Sequence, residues 1–188
     1  EFRRVLFRST KKSVAAMLGT IIGVVFSGAF ALIFGQVTSI TGYNVSDIEN
    51  LVYVGEMTDI KIGELLFAGI LIASLGAVMD VGMSIASTLN ELKEQNPQMM
   101  LKELFQSGMN VGRDMMGTMT NTLILAFTGG SINTLVFIFA YNYEYQQVIN
   151  MYSVGIEIMQ GLSSSLGVIM AVPVTSWIAA FLYSKNQK

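Results

Sequence analysis

Four long stretches of apolar residues, separated by shorter polar or charged segments, run along the chain. We place them at about residues 14–40, 65–89, 115–141 and 161–183. Each is long enough to cross a bilayer, because a membrane-spanning helix needs about 20 mostly apolar residues. The pattern predicts an all-α fold, a polytopic membrane bundle of four transmembrane helices, with residues 13–188 forming a single transmembrane domain.

Small residues and a proline predict how these spans pack and bend. Gly19-x3-Gly23 in the first span permits close approach of a second helix. The Gly-Gly-Ser sequence at residues 129–131 predicts a bend in the third span, and Pro173 predicts a kink in the fourth. Between the spans we expect interfacial helices, a short one at about residues 47–54 and an amphipathic one leading into the third span.

Basic residues are distributed unevenly between the two sides of the membrane. If both termini are cytoplasmic, the inner segments hold ten of the eleven Lys and Arg residues (five, three and two), and the outer segments hold only Lys61. This asymmetry satisfies the positive-inside rule. Residues 1–12 form the first basic flank. Residues 1–9 do not resemble the sequence that follows. Two explanations stay open, a remnant of vector sequence and a native basic flank.

The composition excludes several classes of function. The 188 residues are 52% hydrophobic and 13% charged, against about 25% charged in soluble domains, which is typical of an integral membrane protein. Without cysteine or histidine, the chain lacks disulfides, Cys/His zinc sites and His-dependent catalytic triads. We therefore expect no cofactor, no metal site and no enzymatic activity. A net charge of −2 without a basic patch predicts no nucleic-acid partner.

Asp80 lies inside the second apolar stretch, about two turns from its cytoplasmic end. An ionised carboxylate there costs roughly 2.5–3.5 kcal/mol on insertion scales. Ser84 and Ser87 share its helix face, because they follow at i+4 and i+7. Two interpretations stay open, a buried carboxyl that only packs helices together and a functional polar centre.

The third span is also polar along one side. Asp114, Thr118 and Asn121 share one helix face, with Thr122 beside it. If the second and third spans are antiparallel neighbours, we expect Asp80 within hydrogen-bond or single-water reach of these side chains. Serine, threonine and asparagine in spans are often only contacts between helices, worth about 0.6 kcal/mol each. Farther out, Glu157, Gln160 and Ser164 are candidates for extending a polar path.

Three strings in this chain resemble the YibE/F-like family of bacterial multi-span membrane proteins: GAVMDVGMSIASTLNELKEQNP, GMNVGRDMMGTMTNTLILAFTGG and EIMQGLSSSLGVIMAVPVTSWIAAFLY. The resemblance covers about residues 13–185. It implies a protein of the bacterial inner membrane, a transporter of undefined substrate. It also implies further N-terminal sequence with additional spans, as family members normally carry.

The order of features is, more weakly, similar to the RND superfamily, and closest to the membrane half of the Sec accessory proteins. That similarity implies a proton relay, with Asp80 as the relay carboxylate and Asn121 or Thr122 as its partners. Two departures separate the chain from that pattern. The acidic loop of residues 41–63 has no counterpart, and the large external domains are missing.

We expect a transporter or ion-coupled permease unit with Asp80 as its coupling or cation site. Its partners would be the lipid bilayer, a small solute or ion, and either a second copy or another membrane protein. The alternative is a non-transporting structural subunit of a membrane complex, in which Asp80 is an assembly contact. A membrane hydrolase is less favoured, because no nucleophile elbow, metalloprotease motif or P-loop is present.

The orientation can be tested by cysteine accessibility, because the chain has no cysteine of its own. We expect Asn44→Cys and Asn150→Cys to react with an impermeant maleimide added outside the cell. We expect Lys93→Cys and Lys185→Cys to react only after the membrane is permeabilised. Labelling of position 93 from outside would contradict the predicted orientation.

Overall fold

The computed structural model describes residues 2–39 and 61–184, and all of the regular structure in these residues is helical. The interfacial helix predicted at residues 47–54 lies outside the described residues. The helices are α1 (Phe2–Thr38), α2 (Ile62–Gln95), α3 (Leu101–Gly130), α4 (Ile132–Ala140), α5 (Tyr145–Ile149) and α6 (Tyr152–Ser184). The predicted all-α membrane bundle is therefore confirmed.

The third predicted span is two helices rather than one. Three stretches are each long and apolar enough to cross a membrane, namely Lys11–Thr38, Gly63–Gln95 and Tyr152–Ser184. Helices α3 and α4 pass the same test only together, and they meet at an angle of 54°. The described residues thus hold three spans, or four if the bent pair counts as one.

The bend occurs where the glycine pair predicted it. Gly130 is the last residue of α3, and Ser131 separates it from α4. Two consecutive glycines weaken a helix, because they restrict the backbone least and supply no side chain to pack. The Ser131 hydroxyl donates a hydrogen bond to the Phe127 carbonyl oxygen at 2.9 Å, and the same oxygen accepts from the Ser131 backbone N–H at the end of α3.

Helix α6 occupies the centre of the bundle, where it contacts α1, α2 and α3. Its buried positions are mostly small residues, which allow neighbouring backbones to approach closely. Residue contacts also give the helix directions. Gly19 faces Thr175 and Gly23 faces Ala171, so α1 and α6 are antiparallel. By the same reasoning α1 and α3 run one way, and α2 and α6 run the other.

Glycines make the closest of these helix contacts, as the first-span motif predicted. A Cβ atom on Gly23 would lie 2.9 Å from the Ala171 Cβ and 3.3 Å from the Gly167 carbonyl oxygen. A Cβ on Gly167 would lie 2.7 Å from the Cβ of Ser27. Real Cβ atoms do not approach this closely, so no larger residue fits without separating α1 from α6.

Helix α3 packs against α6 in the same way. Gly108 lies against Ser176 and Gly112 against Val172. On the other side of the bundle, the buried Tyr183 hydroxyl donates to the Ala86 carbonyl oxygen at 3.0 Å and so joins α6 to α2. Helix α6 continues through residue 173, so the proline does not divide the fourth span.

A matched pair of substitutions on α3 tests this packing. Gly112→Ala should lower the free energy of unfolding by about 1–3 kcal/mol, because its new methyl group meets the Val172 side chain. Gly117→Ala should raise it by about 0.5–1 kcal/mol, because alanine is the better helix former and nothing lies within 4 Å of that position. Reversible unfolding in mixed micelles measures both, and an equal loss at both positions would contradict the packing.

Candidate functional site

Asp80 lies on the side of α2 that faces away from the bundle. Its side chain is exposed, whereas Val78, Val81 and Ile85 on the other side of the helix are fully buried in the bundle. Within the described part of the chain, the carboxylate makes no hydrogen bond and no ion pair. Ser84 is half-buried, and Ser87 donates to the Met83 carbonyl oxygen at 2.7 Å.

The candidate residues of the third span also lie on the outside. Asp114, Thr118, Asn121 and Thr122 are all exposed on α3. The Thr118 hydroxyl donates to the Asp114 carbonyl oxygen at 3.2 Å, and the Thr122 hydroxyl donates to the Thr118 carbonyl oxygen at 2.9 Å. The two hydroxyl hydrogens therefore satisfy the backbone of their own helix.

These residues do not face Asp80 inside the bundle. The contacts of Gly82 with Thr175 and of Gly112 with Val172 put Asp80 level with Val111. Asp114, Thr118 and Asn121 therefore lie about one, two and three turns farther out along α3. The expected hydrogen bond from Asn121, Thr118 or Thr122 to Asp80 is not formed among the described residues. The reason is that Gly108 and Gly112 turn the opposite side of α3 toward α6.

We define the polar face as five exposed residues on α2 and α3: Gly76, Asp80, Gly117, Thr118 and Asn121. A Cβ atom added to either glycine would meet nothing within 4 Å. An ionised carboxylate that faces lipid in a span costs roughly 2.5–3.5 kcal/mol on insertion scales. Such residues normally face protein or a water-filled cavity, so a bilayer alone is a poor environment for the polar face.

The outer candidates lie in a different part of the bundle. Glu157 and Gln160 are half-buried on α6, and Ser164 is fully buried. Glu157 lines a cavity of about 370 Å³ between α6 and the bent α3–α4 pair. Seven polar side chains line this cavity: Glu157, Thr120, Thr128, Ser131, Thr134, Ser153 and Ser165. No residue pattern predicted the cavity, because its walls come from α6 and from both helices of the bent pair.

Buried hydroxyl groups are a feature that the sequence analysis largely missed. Five of them have no hydrogen-bond partner among the described residues: Ser27, Ser163, Ser164, Thr175 and Ser176. Three of these lie directly opposite a glycine, since Ser27 faces Gly167, Thr175 faces Gly19 and Ser176 faces Gly108. Their common property is small size at a helix crossing, which explains them as packing residues. Glycine spacing on the facing helix is the signal that identifies them.

Comparisons with known proteins place the chain in a family. The family model described as YibE/F-like protein matches residues 5–185, nearly the whole chain. A search of curated proteins found no match, and a search of solved structures found none. The similarity in feature order to the RND superfamily stays a prediction. Together with its apolar helices, the family match shows that this chain is an integral, multi-pass membrane protein that belongs to the YibE/F-like family.

Proposed function

We propose that this chain is an ion-coupled transport unit of the bacterial inner membrane, with both termini in the cytoplasm and Asp80 as the coupling or cation site. One observation carries the proposal. An exposed carboxylate lies inside a span, and Asp114, Thr118 and Asn121 follow at successive turns on the exposed side of the neighbouring helix α3. A pathway for a small solute or ion would follow the polar face.

The exposure of Asp80 determines how such a pathway would be built. A polar pathway requires water or protein on all sides, because lipid does not solvate an ion. The described residues supply one wall of it, the polar face. A second copy or another membrane protein would supply the opposite wall, so the transporting species is an assembly.

Each polar residue has a specific role in this proposal. Asp80 takes up and releases a proton or binds a cation. The Asn121 amide supplies hydrogen-bond donors and an acceptor farther along the path. Thr118 and Thr122 offer their oxygen lone pairs, because their hydrogens are used within α3. Asp114 and Ser84 extend the polar surface toward the cytoplasm, and no catalytic step or cofactor is involved.

The outer part of a pathway would use the candidates on α6. Glu157 and Gln160 are half-buried and near the start of that helix, and Ser164 is two turns from Glu157. Ile124 and Thr128 line the cavity beside Glu157. They share the side of α3 that carries Gly117 and Asn121, since they follow Gly117 at i+7 and i+11. The outer path would therefore join the polar face along α3.

The alternative function is a non-transporting structural subunit of a membrane complex. The open glycines favour it, since Gly76, one turn from Asp80, and Gly117 on α3 leave room for a close-packed helix of another protein. In that case Asp80 is an assembly contact, and a neutral amide in its place would weaken the assembly without any effect on ion movement.

Reconstituted flux separates the two functions. The protein is placed in proteoliposomes, and uptake of candidate ions is followed with and without an imposed proton gradient. Asp80→Asn should fold, because it retains the shape of the neutral acid, but should abolish proton-linked flux. Glu91→Gln is the matched control, because it removes an exposed carboxylate near the end of α2 and should retain flux.

The assembly state of each variant is measured in the same vesicles by chemical crosslinking. Loss of flux with an unchanged assembly supports Asp80 as the coupling site. Normal flux with unchanged pH dependence in Asp80→Asn would refute proton coupling. Loss of the assembly by Asp80→Asn, from a wild type that shows no flux, would favour the structural subunit.

A further inference from the structure

The cavity beside the bend is far from Asp80. A Cβ atom added to Gly161 on α6 would lie 3.5 Å from the Phe127 side chain, and counting from that contact puts Glu157 level with Ser131. Asp80 is level with Val111, so the two carboxylates are about 30 Å apart along the helix axes. The cavity is lined by α6 and by both helices of the bent pair, which meet at an angle of 54°.

The Thr128 and Ser131 hydroxyls and the Glu157 carboxylate offer hydrogen-bond acceptors in this cavity. Thr128 donates its hydroxyl hydrogen to the Ile124 carbonyl oxygen at 2.7 Å, and Ser131 donates to the Phe127 carbonyl oxygen at 2.9 Å. Both oxygens retain lone pairs that can accept from a ligand. The half-buried Glu157 carboxylate makes no hydrogen bond or ion pair within the described residues, and an ionised carboxylate only accepts.

The remaining walls of the cavity are hydrocarbon. Ile124, Phe127, Leu135, Ile158 and Leu162 supply most of its surface. Its volume of about 370 Å³ falls within the range of roughly 300–1,000 Å³ that is usual for small-molecule sites. A ligand that matches these walls has an apolar body, and a ligand that matches Glu157 and the hydroxyl oxygens has a positive charge and N–H donors.

We infer that this cavity binds an alkylammonium ion, with its N–H groups donating to the Glu157 carboxylate and its apolar body against Phe127 and Leu162. The same chemistry has two sources, a free amphiphilic amine and the ethanolamine headgroup of a phospholipid in the adjacent leaflet. Binding does not require the transport function proposed for Asp80, so each can fail without the other.

Binding is measured with the whole chain in nanodiscs of phosphatidylcholine, and empty nanodiscs correct for partitioning into lipid. Radiolabelled octylammonium is the probe. Octyltrimethylammonium keeps the charge but has no N–H group, and octanol keeps the apolar body without charge. The wild type should bind octylammonium more tightly than either of the other two.

Three variants in the cavity and one control outside it assign the binding. Glu157→Gln should weaken octylammonium binding by about tenfold or more, because a hydrogen bond to a charged group is lost, but should leave octanol binding unchanged. Glu157→Asp should retain the preference for octylammonium. Gly161→Leu should weaken binding of all three probes, because its side chain fills the cavity, and Glu91→Gln should change none of them.

Either of two results would overturn the inference. One is octylammonium binding no greater than in empty nanodiscs, and the other is equal octylammonium binding in wild type and Glu157→Gln. Retained octanol binding in Glu157→Gln shows that the variant is folded. If adding phosphatidylethanolamine to the nanodiscs displaces octylammonium, the phospholipid headgroup is the natural occupant. If it does not, the occupant is a free amine, and both results support the site.

Discussion

The structure depends on the close packing of glycine against small side chains around α6. In lipid the hydrophobic effect does not drive helices together, so association depends on van der Waals contact and on how closely backbones can approach. Gly19 and Gly23 bring α1 onto α6, and Gly108 and Gly112 bring α3 onto it. The small buried residues of α6 let it pack closely against all three of the other long helices.

This packing also determines which residues are left outside. The glycine contacts select the sides of α2 and α3 that face inward, and polar residues on the remaining sides have no place in the interior. Asp80, Thr118 and Asn121 are exposed for that reason. The proposed function follows from the same constraint, since a polar surface in a membrane needs a protein or aqueous environment that the described residues do not supply.

Much of the architecture was predictable because it depends on local sequence. Apolar stretches gave the long helices, and the pair at Gly129 and Gly130 gave the bend. The close approach at Gly19 and Gly23 was also predicted, since small residues at i and i+4 lie on one helix face.

The inward side of each polar helix was not predictable in the same way. The polar periodicity predicted that Asp80 and Asn121 face the interior of the bundle. The glycines of α3 instead pack the opposite side of that helix against α6. Both signals are present in the sequence, and the outcome depends on the shape of α6 as their common neighbour. The Glu157 cavity likewise depends on an interhelical angle, which no residue pattern specifies.

The central claim is that protein, rather than lipid, covers the polar face in a membrane. Spin-label accessibility to oxygen tests it, because oxygen concentrates in lipid and collides less often with labels at a protein contact. Thr118→Cys carries the label on the polar face, and Ala29→Cys, exposed at a similar depth on α1, is the lipid-facing reference. We predict a clearly lower collision rate at position 118 than at position 29. Equal rates at the two positions would contradict the claim.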